Sequence, residues 1–352
     1  MRVGLSMLTL VPGVSGGSET YARGLAHALA RRGTLDVTAF VPELAPDAGE
    51  GLPTQVVSEY HAARGGAARA WALTRATAFP GTLRRRYEGL DVVHFPFTVP
   101  VPRVTARTVV TLHDVQHLDL PELFGAGTRA FRRVAYDRAA RHAGLVVVPS
   151  EFVRERVLER LSLDPSRVRA IHLGVDHERF RPGDEEREPF ILYPARPWPH
   201  KNHARLLEAF ARLRARHGEL RLVLTGAGTE ALAGPAGVEA HGSVPLPELA
   251  SLYRRASCLV FPSRYEGFGS PPLEAMACGT PVAAARAGSI PEVCGEAAVL
   301  FDPDDVEAIA GGVETALGNA AALRAHGLER AAQFTWDAAA VAHEDAYRAV
   351  AA

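Results

Sequence analysis

The stretch Cys258-Leu259-Val260-Phe261-Pro262-Ser263-Arg264-Tyr265-Glu266-Gly267-Phe268-Gly269-Ser270-Pro271-Pro272-Leu273-Glu274-Ala275-Met276-Ala277-Cys278-Gly279-Thr280-Pro281-Val282 holds the key to the architecture of this chain. Its apolar start, 258–262, reads as a buried strand. A glycine-bearing loop follows, then a helix opened by Pro271 and closed by Gly279, because proline suits a first helical turn and glycine the residue past a helix end. Pro271 and Pro272 carry no N–H, so the free donors of the helix start begin near Leu273. Such a start, with its positive dipole end, suits an anion. Glu266 in the loop and Glu274 on the helix frame the turn. N–H donors and carboxylate acceptors in one loop equip it for a ligand that is both phosphorylated and polyhydroxylated, and a nucleotide sugar is such a ligand.

Outward from this stretch, short apolar runs alternate with helical patterns along most of the 352 residues. That alternation predicts an α/β class with parallel sheets. In the first half, strands are expected at 2–9, 36–41, 92–95, 108–112 and 145–148, with a helix at 19–32 capped by Ser18 and stopped by Gly33. The charged, Pro- and Gly-bearing segment 176–189 reads as a linker. A second series follows, with strands at 190–194, 220–225, 238–241, 258–261, 281–284 and 298–301 and a closing helix at 336–350. At this length two cores are expected, since single cores stop growing at roughly 250–300 residues.

The run Glu-Gly-Phe-Gly (266–269), Pro-Pro-Leu-Glu-Ala-Met-Ala (271–277) and Cys-Gly-Thr-Pro-Val (278–282), with two glutamates separated by seven intervening residues, resembles the signature of retaining nucleotide-sugar glycosyltransferases of family 4. The resemblance covers nearly the whole chain. It implies the GT-B fold: two Rossmann-like α/β domains with a donor cleft between them. The domains would be 1–175 on the acceptor side, a linker at 176–189, 190–334 on the nucleotide-sugar side, and a C-terminal helix at 335–352 crossing back to the first domain. It implies a hexosyl transfer from a nucleotide diphosphate sugar, of GDP-mannose or UDP-sugar type, to a glycan, lipid-linked or small-molecule acceptor. Anomeric configuration would be retained and no cofactor or metal required.

The same resemblance assigns roles to residues. Gly16 and Gly17 open a helix after the first strand, where glycine lets a backbone approach a phosphate; the family loop there lies at the donor diphosphate. His113 ends a first-half strand, at the end where ligands collect in open α/β sheets, and would hydrogen-bond a donor-sugar hydroxyl. His117 is open between facing the acceptor and a structural role. Arg196 and Lys201 follow the first strand of the second half. Two such cations can hold a diphosphate, Arg as a fork and Lys as a point charge, although a loop with two cations is by itself more often solvated. The turn with Ser243 and Val244 would lie beside the nucleobase through main-chain contacts. Glu274 would accept from ribose hydroxyls and Glu266 from sugar hydroxyls, while the backbone of Phe268, Gly269, Ser270 and Leu273 would line sugar and phosphates.

Composition narrows the alternatives. The net charge of −1 leaves no nucleic-acid footprint. Three cysteines, Cys258, Cys278 and Cys294, show no pairing or metal spacing. With no signal-peptide build and no long apolar run, a cytoplasmic protein is expected. Arginines at 129, 132, 133, 138 and 141 on one expected helix with Phe131, Val134 and Tyr136 raise peripheral contact with the inner membrane surface, against a plain solvated face. Asp302–Asp305 reads as a helix start with Asp304 or Asp305 as cap. Two other functions are weighed. A non-catalytic nucleotide-sugar-binding subunit would bind donor without transfer. A GT-B phosphorylase would need a Schiff-base lysine, and Lys201 is the only lysine in the chain.

Overall fold

Seven parallel strands form the first sheet: β1 (Arg2–Ser6), β2 (Asp36–Val41), β3 (Thr54–Val56), β4 (Val92–Phe95), β5 (Arg107–Thr111), β6 (Leu145–Val148) and β7 (Val168–Ala170), in the order β3-β2-β1-β4-β5-β6-β7. The computed structural model describes all residues except Ser15, Arg64 and Phe79; within the helix Gly66–Ala78 the described side chains are those at 68 and 71–76. The inner strands β4 and β6 read as apolar runs, with all four residues of each buried, as expected of parallel strands covered on both faces. The second sheet has β8 (Glu188–Pro194), β9 (Arg221–Thr225), β10 (Val238–Ala240), β11 (Ala256–Phe261), β12 (Val282–Ala285) and β13 (Val299–Phe301). Its order is β10-β9-β8-β11-β12-β13, again parallel. The chain is therefore α/β with two doubly wound sheets. One compact unit comprises Met1–Gly174 with Trp336–Ala352, the other Val175–Thr335, so residues 176–189 fall within the second.

The closing helix Trp336–Ala351 packs on the first unit through Gly24, where a Cβ would strike the Trp336 ring. Its buried polar side chains are all engaged. The Tyr21 hydroxyl bonds His343 Nε2 (2.7 Å) and Thr111 Oγ1 (2.8 Å), while His94 bonds Thr111 Oγ1 (2.7 Å) and the Tyr347 hydroxyl (2.8 Å). Burial lowers the His343 pKa to about 4 and that of His94 well below the ordinary value, so both rings are neutral.

Two local expectations need correction. The helix at 19–32 runs Gly17–Arg32, and its N-cap is Gly16 rather than Ser18, which lies inside the first turn; Gly33 does end it, in the left-handed conformation. The strands β3 and β7 were not expected. Both are three-residue outer strands; β3 is exposed throughout and β7 buries only Val168 fully, so neither shows an apolar run.

Candidate functional site

In the second unit the strand order reverses between β8 and β11, which are neighbours in the sheet. A crevice outside the carboxyl ends of such a pair is where open α/β sheets bind ligands. The loops leaving β8 and β11 carry Arg196, Lys201 and Glu266. The β8 loop turns through a short helix, Pro199–Lys201, and Asn202 takes the left-handed conformation behind it. The buried Asn202 amide donates to the carbonyls of Pro303 (2.7 Å) and Pro262 (3.2 Å). Tyr193 donates its hydroxyl to the Lys201 carbonyl at 2.7 Å, and Arg264 N–H donates to the His200 carbonyl at 2.8 Å. These bonds tie the two loops together.

The outcome is a direct ion pair between residues far apart in sequence: Lys201 Nζ lies 2.5 Å from Glu266 Oε1, with side chains 16% and 12% exposed. At that burial the pair is poorly screened by solvent. Arg196 sits in the same loop, its guanidinium 5.8 Å from the Trp198 ring centroid. The Glu266 loop is clamped from behind by Ser289, whose hydroxyl donates to the carbonyls of Phe268 (2.8 Å) and Glu266 (3.1 Å). Gly288 makes the approach feasible. Its φ is +60°, and a Cβ there would stand 2.8 Å from the Glu266 backbone N and O. Neither residue is singled out by sequence reasoning, although a Gly-Ser pair before Ile-Pro at 288–291 is a turn signal.

The helix after this loop spans Ser270–Ala277, with Gly269 as a left-handed N-cap, and Gly279 closes it with φ +70°. Glu274, on this helix, takes a separate partner: the Tyr253 hydroxyl donates to its Oε2 at 2.8 Å. Burial pushes the Glu274 carboxyl up to about 7, and the Tyr253 bond only partly opposes this. The phenol of Tyr253 is in turn raised by its own burial and by the Glu274 charge. Tyr253 is a second residue that sequence reasoning missed, since it reads as an ordinary apolar helix position. In the turn after β10, Ser243 is exposed and Val244 half-buried, and Gly242 N–H donates to Thr229 Oγ1 at 3.1 Å.

The remaining expected residues lie in the first unit. Gly16 has φ +53°, and added Cβ atoms at Gly16 and Gly17 would meet nothing within 4 Å, so open space surrounds this helix start. His113 Nε2 donates to the Pro96 carbonyl at 2.8 Å. That bond fixes the tautomer and leaves Nδ1 as an acceptor; burial lowers the His113 pKa and keeps the ring neutral. His117 is buried edge-on to Tyr136, with neither ring nitrogen bonded.

Asp305 caps the helix Val306–Gly318, its carboxylate accepting from the N–H groups of Glu307 (2.8 Å) and Ala308 (3.2 Å). Among the described residues no group of three or more His, Cys, Asp or Glu is placed to hold a metal ion.

Two family descriptions match the chain. "Glycosyltransferase Family 4" matches residues 15–179 and "Glycosyl transferases group 1" matches residues 175–334. The chain belongs to these glycosyltransferases. Among curated relatives of this glycosyltransferase, the O-antigen chain mannosyltransferase B of Escherichia coli is 28% identical, over 70% of this chain and 72% of that protein. The MMP alpha-(1->4)-mannosyltransferase of Mycolicibacterium hassiacum is 35% identical, over 58% of this chain and 53% of that one. D-inositol 3-phosphate glycosyltransferase 2 of Catenulispora acidiphila is 32% identical, over 61% of this chain and 58% of that one. The chain thus spans little more than half the length of two of these relatives. Among solved structures, sucrose-phosphate synthase from Thermosynechococcus elongatus matches with a TM-score of 0.81 at 22% identity, over 99% of both chains. The Anabaena protein HepE, solved in complex with UDP-glucose, matches with a TM-score of 0.73 at 17% identity, over 99% of this chain and 100% of that one. These likenesses establish the GT-B-like fold of two α/β units.

Proposed function

We propose that this glycosyltransferase moves a hexosyl group from a nucleotide diphosphate sugar to a glycan, lipid-linked or small-molecule acceptor, with retention and without a metal ion. The buried Lys201–Glu266 pair at the β8/β11 strand-order reversal is the observation that carries this reading. The bond from the anomeric carbon to the diphosphate breaks, leaving negative charge on phosphate oxygens. Arg196, Lys201 and the N–H groups at the start of Ser270–Ala277 meet that charge in a preorganised site. The acceptor oxygen bonds the anomeric carbon on the same face, and its proton passes to the departing phosphate oxygen. Glu266 holds sugar hydroxyls and positions the Lys201 ammonium; Glu274 accepts from ribose hydroxyls; the backbone of 268–273 lines sugar and phosphates. Ser243 and Val244 stand beside the base. Gly16 and Gly17 bind phosphate, and His113 accepts a sugar hydroxyl at Nδ1. The two mannosyltransferase relatives support mannose as the sugar moved, and the donor proposed is of GDP-mannose type, with UDP-sugars as the alternative.

Localisation belongs to the same reading. No described helix is long and apolar enough to cross a membrane. Phe131 and Val134 stand exposed on the arginine-bearing helix Ala126–His142, and we assign this face to peripheral contact with anionic lipid on the cytoplasmic side.

The deciding experiment incubates the chain with GDP-mannose, UDP-glucose and an acceptor panel, with and without exhaustive chelation, and follows the anomeric proton by NMR. Transfer with the donor's configuration kept, unchanged by chelator, supports the proposal. An inverted product, or activity abolished by chelator and restored by magnesium, overturns it. Donor binding with neither transfer nor hydrolysis supports the binding-subunit alternative.

A further inference from the structure

We propose that the first unit carries a separate saccharide-binding pocket at the outer edge of its sheet, which grips a neutral sugar ring of the acceptor. This rests on the glycosyltransferase reading only for the word acceptor. The pocket encloses about 530 Å³. It is built from loops leaving the carboxyl ends of β2 and β3: Glu43 lies two residues past β2, and Glu59 and His61 follow β3. Those are the ends at which parallel sheets collect ligands. The helix Gly66–Ala78 closes it with Trp71 and Arg75. Its floor, Tyr60, Ala76 and Leu83, is buried in the hydrophobic core and therefore firm.

The chemistry of the lining selects the occupant. Trp71 is 60% exposed, with the Arg75 guanidinium 5.4 Å from its ring centroid. An indole left this open at a pocket mouth offers a flat apolar face to the C–H groups of a pyranose. Glu59 supplies a fixed acceptor. Its Oε1 takes both Arg86 Nη2 (2.7 Å) and Nε (3.1 Å), which holds the carboxyl below the usual range, while Oε2 is buried with no hydrogen bond of normal geometry. An unsatisfied buried carboxylate oxygen has a strong demand for a donor, and a sugar hydroxyl meets it. Glu43 adds another acceptor, and Arg75 and His61 add donors. The two carboxylates disfavour a phosphate here, and the mixture of stacking face, donors and acceptors fits an uncharged polyol.

Saturation-transfer NMR on the full chain tests this with methyl α-mannopyranoside, mannobiose, maltose and cellobiose, with inorganic phosphate and anionic phosphatidylglycerol vesicles as competing probes. At least one saccharide should bind the wild type. Trp71→Ala should weaken that binding at least tenfold, Glu59→Gln should weaken it, and Trp71→Phe should keep most of it. Because Trp71 is exposed, both Trp71 variants should retain the wild-type Tm. Calorimetry with GDP and UDP should give the same nucleotide affinity for wild type and pocket variants, so failure of the donor reading would appear as absent nucleotide binding with saccharide binding intact. Absence of saccharide binding, equal binding by Trp71→Ala, or a pocket that responds only to phosphate or vesicles overturns the proposal.

Discussion

Lys201 and Arg196 have different tasks within one loop. Lys201 is a compact charge already neutralised by Glu266, whereas Arg196 lies beside an exposed Trp198. Substituting either by alanine should reduce turnover by about 10²–10³, the range for losing one preorganised donor to developing negative charge. Lys201→Arg should not restore it, because a planar fork does not replace a point charge facing one carboxylate oxygen. Steady-state rates with a saturating donor check this, and wild-type rates in both alanine variants would remove the loop from the site. Glu274 makes a pH argument. Its folded pKa is about 7, above the ordinary 4.5, so the folded state holds a proton that the unfolded chain gives up. The buried charge therefore lowers stability progressively as pH rises from about 4.5 to 7. Glu274→Gln should raise Tm more at pH 8 than at pH 5. A gain that is equal at both values would show that the carboxyl is not held protonated.

Among elements, the turn behind Glu266 is the part most easily tested. Gly288→Ala places a Cβ against the Glu266 backbone at a positive φ, so the Ser289 bonds and the Lys201 pairing should both suffer. The left-handed backbone alone costs roughly 1–2 kcal/mol for a non-glycine residue. Urea unfolding should show a loss of at least that size, and turnover should fall; a variant with wild-type stability would mean that the turn relaxes freely. This element also shows what was legible in the sequence. The strand, loop and helix around Glu266 were readable because an apolar run, two prolines and a closing glycine each restrict the backbone locally. Gly288 and Ser289 act across the fold on carbonyl oxygens, and such bonds leave no periodic trace. Tyr253 was hidden for the same reason, as its phenol works on Glu274 from a neighbouring helix. The strands β3 and β7 escaped because outer three-residue strands bury too little to need an apolar run. Ser18 looked like a cap by residue type, yet the helix begins earlier, at a glycine whose φ of +53° serine rarely adopts.

At the scale of the whole molecule, the first unit depends on neutral histidines under its closing helix. His343 has a folded pKa of about 4 against an ordinary 6.5, and His94 is also lowered, both by burial. The unfolded chain binds those protons first, so stability should decline as pH falls from 6.5 towards 4. In His343→Gln that part of the Tm-versus-pH curve should be flatter; a curve parallel to wild type would place the acid sensitivity elsewhere. A last consequence comes from Lys201 being the only lysine among 39 basic Lys and Arg residues. Apart from the α-amino group, this protein has one addressable side-chain amine, and it sits in the proposed reaction centre. A succinimidyl ester should therefore act as an active-site titrant. One acyl group on Lys201, found by peptide mass spectrometry, should silence one molecule, and a bound sugar nucleotide should shield it. Acylation at Lys201 that leaves turnover intact would disconnect this amine from the chemistry.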